Sequence, residues 1–136
     1  MNDIIEQKIR DSFSRQGFMQ TLGARITSLE TGRVCLQCAF RDGLSQQNGF
    51  FHAGVLSSIA DSACGYAALS VMPEDADVLS VEFKINLLKP ANTEKIEASG
   101  VVIQAGKRLV VCEAGVTDAV SGKLLAKMTA TMIVLV

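Results

Sequence analysis

No stretch of this sequence stays apolar for anything near the ~20 residues that cross a bilayer, so no membrane span is expected. The basic residues are scattered and formal net charge is −1. A nucleic-acid footprint needs a clustered basic face, and none is present. There is one histidine, His52, among 136 residues. The pair Cys35 and Cys38 has the spacing of a zinc or redox site, yet no second such pair and no histidine pair completes a tetrahedron. The two cysteines also fall in a segment that reads as a strand, where residues three apart point to opposite faces. With Cys64 and Cys112 they are expected to be buried free thiols. The first residues, Met1 to Glu6, lack the basic-then-apolar order of a signal peptide, and a cytoplasmic location is the expectation. Repeats, low-complexity tracts and linkers are absent.

What remains suits a single domain over 1–136. Apolar residues make up 49%, charged residues only 20%, and mean hydropathy is +0.30. So small a domain has little interior to hide that surface, which points to subunit contacts. Residues 3 to about 20 read as one helix, with Ile4, Ile5, Ile9, Phe13 and Met19 near helical spacing and Gly23 able to end it. Two short strands over 24–40 meet at Thr31-Gly32, and Val34, Leu36, Cys38 and Phe40 share a face. The polar segment 41–51 reads as a loop. Residues 53 to about 71 form the longest helical candidate, rich in Ala, Gly and Ser, closed by Met72-Pro73. The period then becomes two: Leu79, Val81, Phe83, Ile85 and Leu87 alternate with polar residues. Lys89 to Asn92 turns this strand, and three more follow at about 94–104, 108–118 and 123–135, joined by hairpin-length connectors. The pattern predicts an α+β domain in which a curved antiparallel sheet wraps a central helix.

The chemistry concentrates in Gln46 to Gly54 and in Asp61. No Lys or Arg lies between Arg41 and Lys84, so Asp61 sits on an Ala/Gly/Ser helix with no local cation. Burying such a carboxylate is costly unless it is paired or used. The plain alternative is an aspartate that faces solvent or bonds nearby serines. The backbone N–H groups of Ala53 and Gly54 are helix-start donors at the positive end of the helix dipole, suited to an oxygen gaining negative charge. His52 reads first as a structural residue that bonds a backbone carbonyl and shapes the loop, with acid/base work as the alternative.

His52-Ala53-Gly54 entering a helix, with an acid nine positions after the histidine, resembles the hotdog-fold acyl-CoA thioesterases and in particular their PaaI-like branch. The strand Ser80 to Ala91 with its proline turn, and the hairpin Ala105-Gly106-Lys107-Arg108, are similar to that family as well. The resemblance covers about Gly23 to Val136, leaving 1–22 as an N-terminal helix ahead of a hotdog core. It implies a hotdog fold that dimerises through a continuous sheet, often as a dimer-of-dimers tetramer. It implies Asp61 as nucleophile or general base, the Ala53 amide as the group polarising the thioester carbonyl, and Gln46 near that carbonyl or the water. Asn48 competes for the role of Gln46. Ser80 is expected across the dimer, orienting the water. The family has Gly where this chain has Ala53; the amide is kept and a methyl is added. Lys89, Lys107 and Arg108 are candidates for the CoA phosphates. The implied reaction is hydrolysis of an acyl-CoA to a carboxylic acid and free CoA, with no cofactor, no metal, and no nucleic-acid or membrane partner. The alternatives are a hotdog enoyl-CoA hydratase or dehydratase, and a non-catalytic acyl-CoA-binding module.

Overall fold

The computed structural model describes all residues, 1–136. Helices α1 (Asp3–Ser14) and α2 (Gly17–Leu22) precede strands β1 (Arg25–Glu30) and β2 (Arg33–Ala39). Helix α3 (Ala53–Leu69) and strands β3 (Asp77–Leu87), β4 (Lys95–Ala105), β5 (Leu109–Asp118) and β6 (Leu124–Leu135) follow. The expected single N-terminal helix is thus two. Gln16 leaves helical geometry, at φ −79° and ψ 95°, and its side chain bonds the Tyr66 hydroxyl instead. A tertiary contact here overrides local periodicity. Gly23 does end the second helix, in the left-handed conformation that glycine adopts most readily.

All six strands form one antiparallel sheet in the order β1-β2-β4-β5-β6-β3, and α3 touches every strand from β2 to β6. The sheet therefore curls around the helix. Gly100 marks the closest approach: a Cβ there would lie 2.5 Å from the Ala63 carbonyl carbon. Apolar burial is continuous across the seam, through Ile59, Ala60, Ala63, Ala67, Ile96, Ala98, Val116 and Met128. This is the hotdog architecture anticipated from the sequence.

Strand β3 departs from hairpin order and from strict alternation. Its neighbour is β6, not β4, although only residues 88–94 separate β3 from β4. Three strand spacings are roughly 14 Å, well within the reach of seven residues. The alternating run is also broken: the register slips between Ser80 and Glu82, leaving Val81 as a bulge. Leu79 then shares a face with Ile133, whereas Phe83, Ile85 and Leu87 join the face of Ala130, Met128 and Ala126 that packs on α3. Because β3 is an edge strand, Leu79 (58%), Val81 (54%) and Phe83 (44%) remain exposed in the single chain.

The four cysteines are free and buried. Cys35 Sγ reaches Ser99 and Cys38 Sγ reaches the Leu22 carbonyl, so the pair diverges as strand geometry requires.

Candidate active site

The loop before α3 is built by its own side chains. Gln46 Oε1 accepts from the backbone N–H groups of Asn48 (2.6 Å) and Phe50 (3.1 Å). That use holds the amide in place and leaves Nε2 as a donor. Ser45 bridges to Phe51, and His52 N donates to the Leu44 carbonyl, so the loop delivers the chain to the helix start in one conformation.

His52 is the N-cap of α3. Its Nδ1 accepts from Gly54 N at 2.8 Å, which leaves the proton of the neutral ring on Nε2. The contact shapes the helix start, and His52 accepts a backbone N–H in it where a bond to a carbonyl was anticipated. One expected donor is consequently taken: Gly54 N–H serves the cap. A Cβ on Gly54 would lie 2.9 Å from His52 Nδ1, so glycine is needed for this contact. Ala53 N–H, by contrast, donates to no group in the chain. It opens on a cleft of ≈ 520 Å³ lined by Gln46, Asn48, His52, Ala53, Leu87 and Lys89, among others.

Asp61 lies two turns further along α3, half-buried. The nearby serines do not serve it: Ser57 and Ser58 donate back to the carbonyls of Ala53 and Gly54. Its partner is Ser80, whose Oγ donates to Asp61 Oδ1 at 2.6 Å, a length typical of a hydroxyl on a carboxylate. Asp61 Oδ2 accepts no hydrogen bond within the chain. This bond forms within one chain, whereas the expected contact of Ser80 was across a dimer. Its cause is the bulge at Val81, which turns Ser80 toward the helix.

Asp61 does not share a cleft with Ala53. It lies between two others, one formed with Ser80, Gly65 and Tyr66, the other with Ser57, Ser58, Phe18 and Phe83. Asp61 is eight helical steps from Ala53, a rise of roughly 12 Å. One thioester cannot sit within hydrogen-bond distance of both in a single chain. Lys89 joins the Ala53 cleft. Lys107 and Arg108 stand in the exposed β4–β5 turn, at the end of the sheet where Leu109 pairs with Ile133 and Ile133 with Leu79. That is the Ser80 end, away from Lys89.

Tyr66, which sequence reasoning passed over, is buried with its hydroxyl bonded to Gln16 and Ser12 of the N-terminal segment. Its position five residues after Asp61 was the only signal, and α1 and α2 had to be in place to give it meaning.

Comparisons with known proteins follow the same lines. A profile of the thioesterase superfamily matches residues 48–124. The chain is 48% identical to a thioesterase family protein from Silicibacter pomeroyi of known crystal structure, with TM-score 0.94 over 97% of this chain and 98% of that one. It is 29% identical over 102 residues to the 1,4-dihydroxy-2-naphthoyl-CoA hydrolase of Listeria monocytogenes, covering 75% of this chain and 83% of the relative. The E. coli PaaI protein superposes with TM-score 0.87 over 96% of this chain and 92% of its own, at 20% identity, a likeness of fold alone.

Proposed function

The chain belongs to the thioesterase superfamily and is a thioester hydrolase, and from that premise we propose that two copies build each active site between them, hydrolysing an acyl-CoA to a carboxylic acid and free CoA. The observation that carries this reading is the separation on α3 of an unused amide at Ala53 from a half-buried carboxylate at Asp61.

Strand β3 supplies the means of pairing. It is an eleven-residue edge strand with exposed apolar side chains, a ready template for a second strand. In a two-fold pair the same strand meets itself antiparallel, so the ends of the two sheets are exchanged. The Asp61, Ser80 and Arg108 end of one copy then approaches the Ala53, Gln46 and Lys89 end of the other. All the candidate groups that one chain keeps apart come within reach of a single substrate.

In the composite site the thioester oxygen accepts from Ala53 N–H, at the positive end of the α3 dipole. Asp61 takes a proton from water as the water oxygen attacks the carbonyl carbon, or attacks that carbon itself to give an acyl anhydride that water then hydrolyses. In either course the C–S bond breaks as the oxyanion collapses, CoA leaves as the thiolate, and a proton passes to it. Ser80 holds Asp61 in place, and Gln46 Nε2 is a donor for the carbonyl or the water. Lys89, Lys107 and Arg108 are the cations available to CoA phosphates. No step draws on a metal or cofactor.

The sharing of the site is testable. Ala53→Pro deletes the amide proton at the first helical position, where proline is tolerated, and His52 at ψ 138° already suits a following proline. Asp61→Asn removes the base. Each variant alone is expected to be nearly inactive. Mixed and reassociated, half the dimers would be hybrids with one intact site of two, returning about a quarter of wild-type activity. Two folded variants that mix without any recovery would disprove the shared site.

A further inference from the structure

The cleft that Asp61 shares with Ser80 has a feature the thioesterase reading leaves unexplained: its far wall is supplied by the N-terminal segment, through Ser12 of α1 and Gln16 at the start of α2. It measures ≈ 270 Å³, and its lining includes Ser12 and Gln16 as well as Gly65, Tyr66 and Asp77. Two carboxylates and no cation border it, so a phosphate is excluded on charge. The Ala53 cleft has the opposite character, with Lys89 at its rim and no acid. A CoA ester stretched between them directs its nucleotide end to Lys89 and its acyl end past Asp61.

The end wall is polar and held in place. Gln16 Nε2 donates to the Tyr66 hydroxyl at 2.8 Å, and Ser12 Oγ lies 3.1 Å from it. Phe13 packs edge-on to the Tyr66 ring. Lys8 donates to the carbonyls of Glu74 and Ala76, tying α1 to the turn before β3. A phenol accepts two hydrogen bonds and donates one. Gln16 is a donor to it, and the Ser12 hydroxyl can donate or accept; when Ser12 donates, the Tyr66 proton is left for a ligand. Room for that ligand is made by Gly65, one turn beyond Asp61, where a Cβ would meet nothing within 4 Å. Glycine is a poor choice inside a helix unless something must come close.

We infer that Ser12 of α1, Gln16 and Tyr66 form the end wall of the acyl subsite, and that they select a compact, uncharged acyl group whose distal end bears a hydrogen-bonding oxygen. This rests on the thioesterase reading and adds to it the class of acyl group and the residues that choose it. Long apolar chains meet the polar groups of Ser12, Gln16 and Tyr66, and acyl groups ending in a carboxylate meet Asp77 as well as Asp61.

The test compares kcat/KM for acetyl-, hexanoyl-, 6-hydroxyhexanoyl-, adipoyl- and palmitoyl-CoA in the wild type, Tyr66→Phe and Gly65→Leu. In the wild type, 6-hydroxyhexanoyl-CoA is expected to exceed hexanoyl-CoA by about 10-fold, the value of one added hydrogen bond, with adipoyl- and palmitoyl-CoA below both. Tyr66→Phe should bring the hydroxyhexanoyl-to-hexanoyl ratio close to one. Gly65→Leu should raise KM for the six-carbon esters relative to acetyl-CoA. Wild-type preference for palmitoyl- or adipoyl-CoA, or ratios that neither variant moves, overturns this inference and leaves the thioesterase reading standing. Hydrolysis of no thioester by the wild type overturns that reading too.

Discussion

Asp61 and Ser80 form the most consequential contact at the scale of single residues. One short hydrogen bond holds one carboxylate oxygen and leaves the other open. Asp61→Asn is expected to lower kcat by about 10²–10⁴, as loss of a general base does. Ser80→Ala should lower kcat by about 10-fold with KM nearly unchanged, since a hydrogen bond to a charged group is lost without touching CoA. Steady-state kinetics on one acyl-CoA checks both, and near wild-type turnover by Asp61→Asn would remove Asp61 from the reaction. Gly100 is the structural counterpart. Its missing side chain lets α3 rest on β4, with backbone atoms of Ala63 and Cys64 2.5–2.7 Å from where a Cβ would be. Neither helix nor strand can yield there locally. Gly100→Ala should therefore cost about 1–3 kcal/mol, read as a shift in the urea midpoint.

Among the elements, the β5–β6 turn is held by a carboxylate. Asp118 Oδ1 accepts from Thr93 Oγ1 at 2.8 Å and from the backbone N–H groups of Val120 and Ser121 at 2.8 and 3.2 Å. The Thr93 hydroxyl first, then the Val120 amide, hold this carboxyl below the usual aspartate range. A lowered folded-state pKa means the stabilisation is complete above the unfolded value, near ~3.9, and is lost as pH falls through the folded one. Asp118→Asn should flatten that part of the acid dependence of the urea midpoint while leaving neutral-pH activity intact. An unchanged acid profile would show the turn to be held by other means. Burial has the opposite effect on the thiols, pushing Cys112 up to about 11 and Cys64 higher still. Both are thereby inert packing groups of the helix–sheet seam.

For the whole molecule, pairing through β3 and catalysis are expected to stand or fall together. Val81 is exposed, lies in no described cleft and sits in the bulge of the edge strand. Val81→Asp would put a carboxylate from each copy into the pairing strands, where burying a charge is costly. The expected outcome is a monomer by analytical ultracentrifugation, with unchanged far-UV circular dichroism and little activity. Active monomers would contradict a site assembled from two chains.

Much of this protein was legible in residue order. Helix and strand periods, the small residues of α3, Gly23 and the tight turns all act over a few positions, so the α+β class and its central helix followed from them. His52-Ala53-Gly54 and Asp61 were recognisable because their spacing lies within one helix. What the order of residues could not decide involved groups far apart in the chain. The bulge at Val81, which turns Ser80 toward Asp61, depends on register with β6 some fifty residues away. The break at Gln16 depends on Tyr66. Capping by His52, which takes one of two expected amides, depends on a side-chain rotamer. Each outcome was set by which partner a polar group found after the sheet had closed around the helix, and local propensity does not contain that choice.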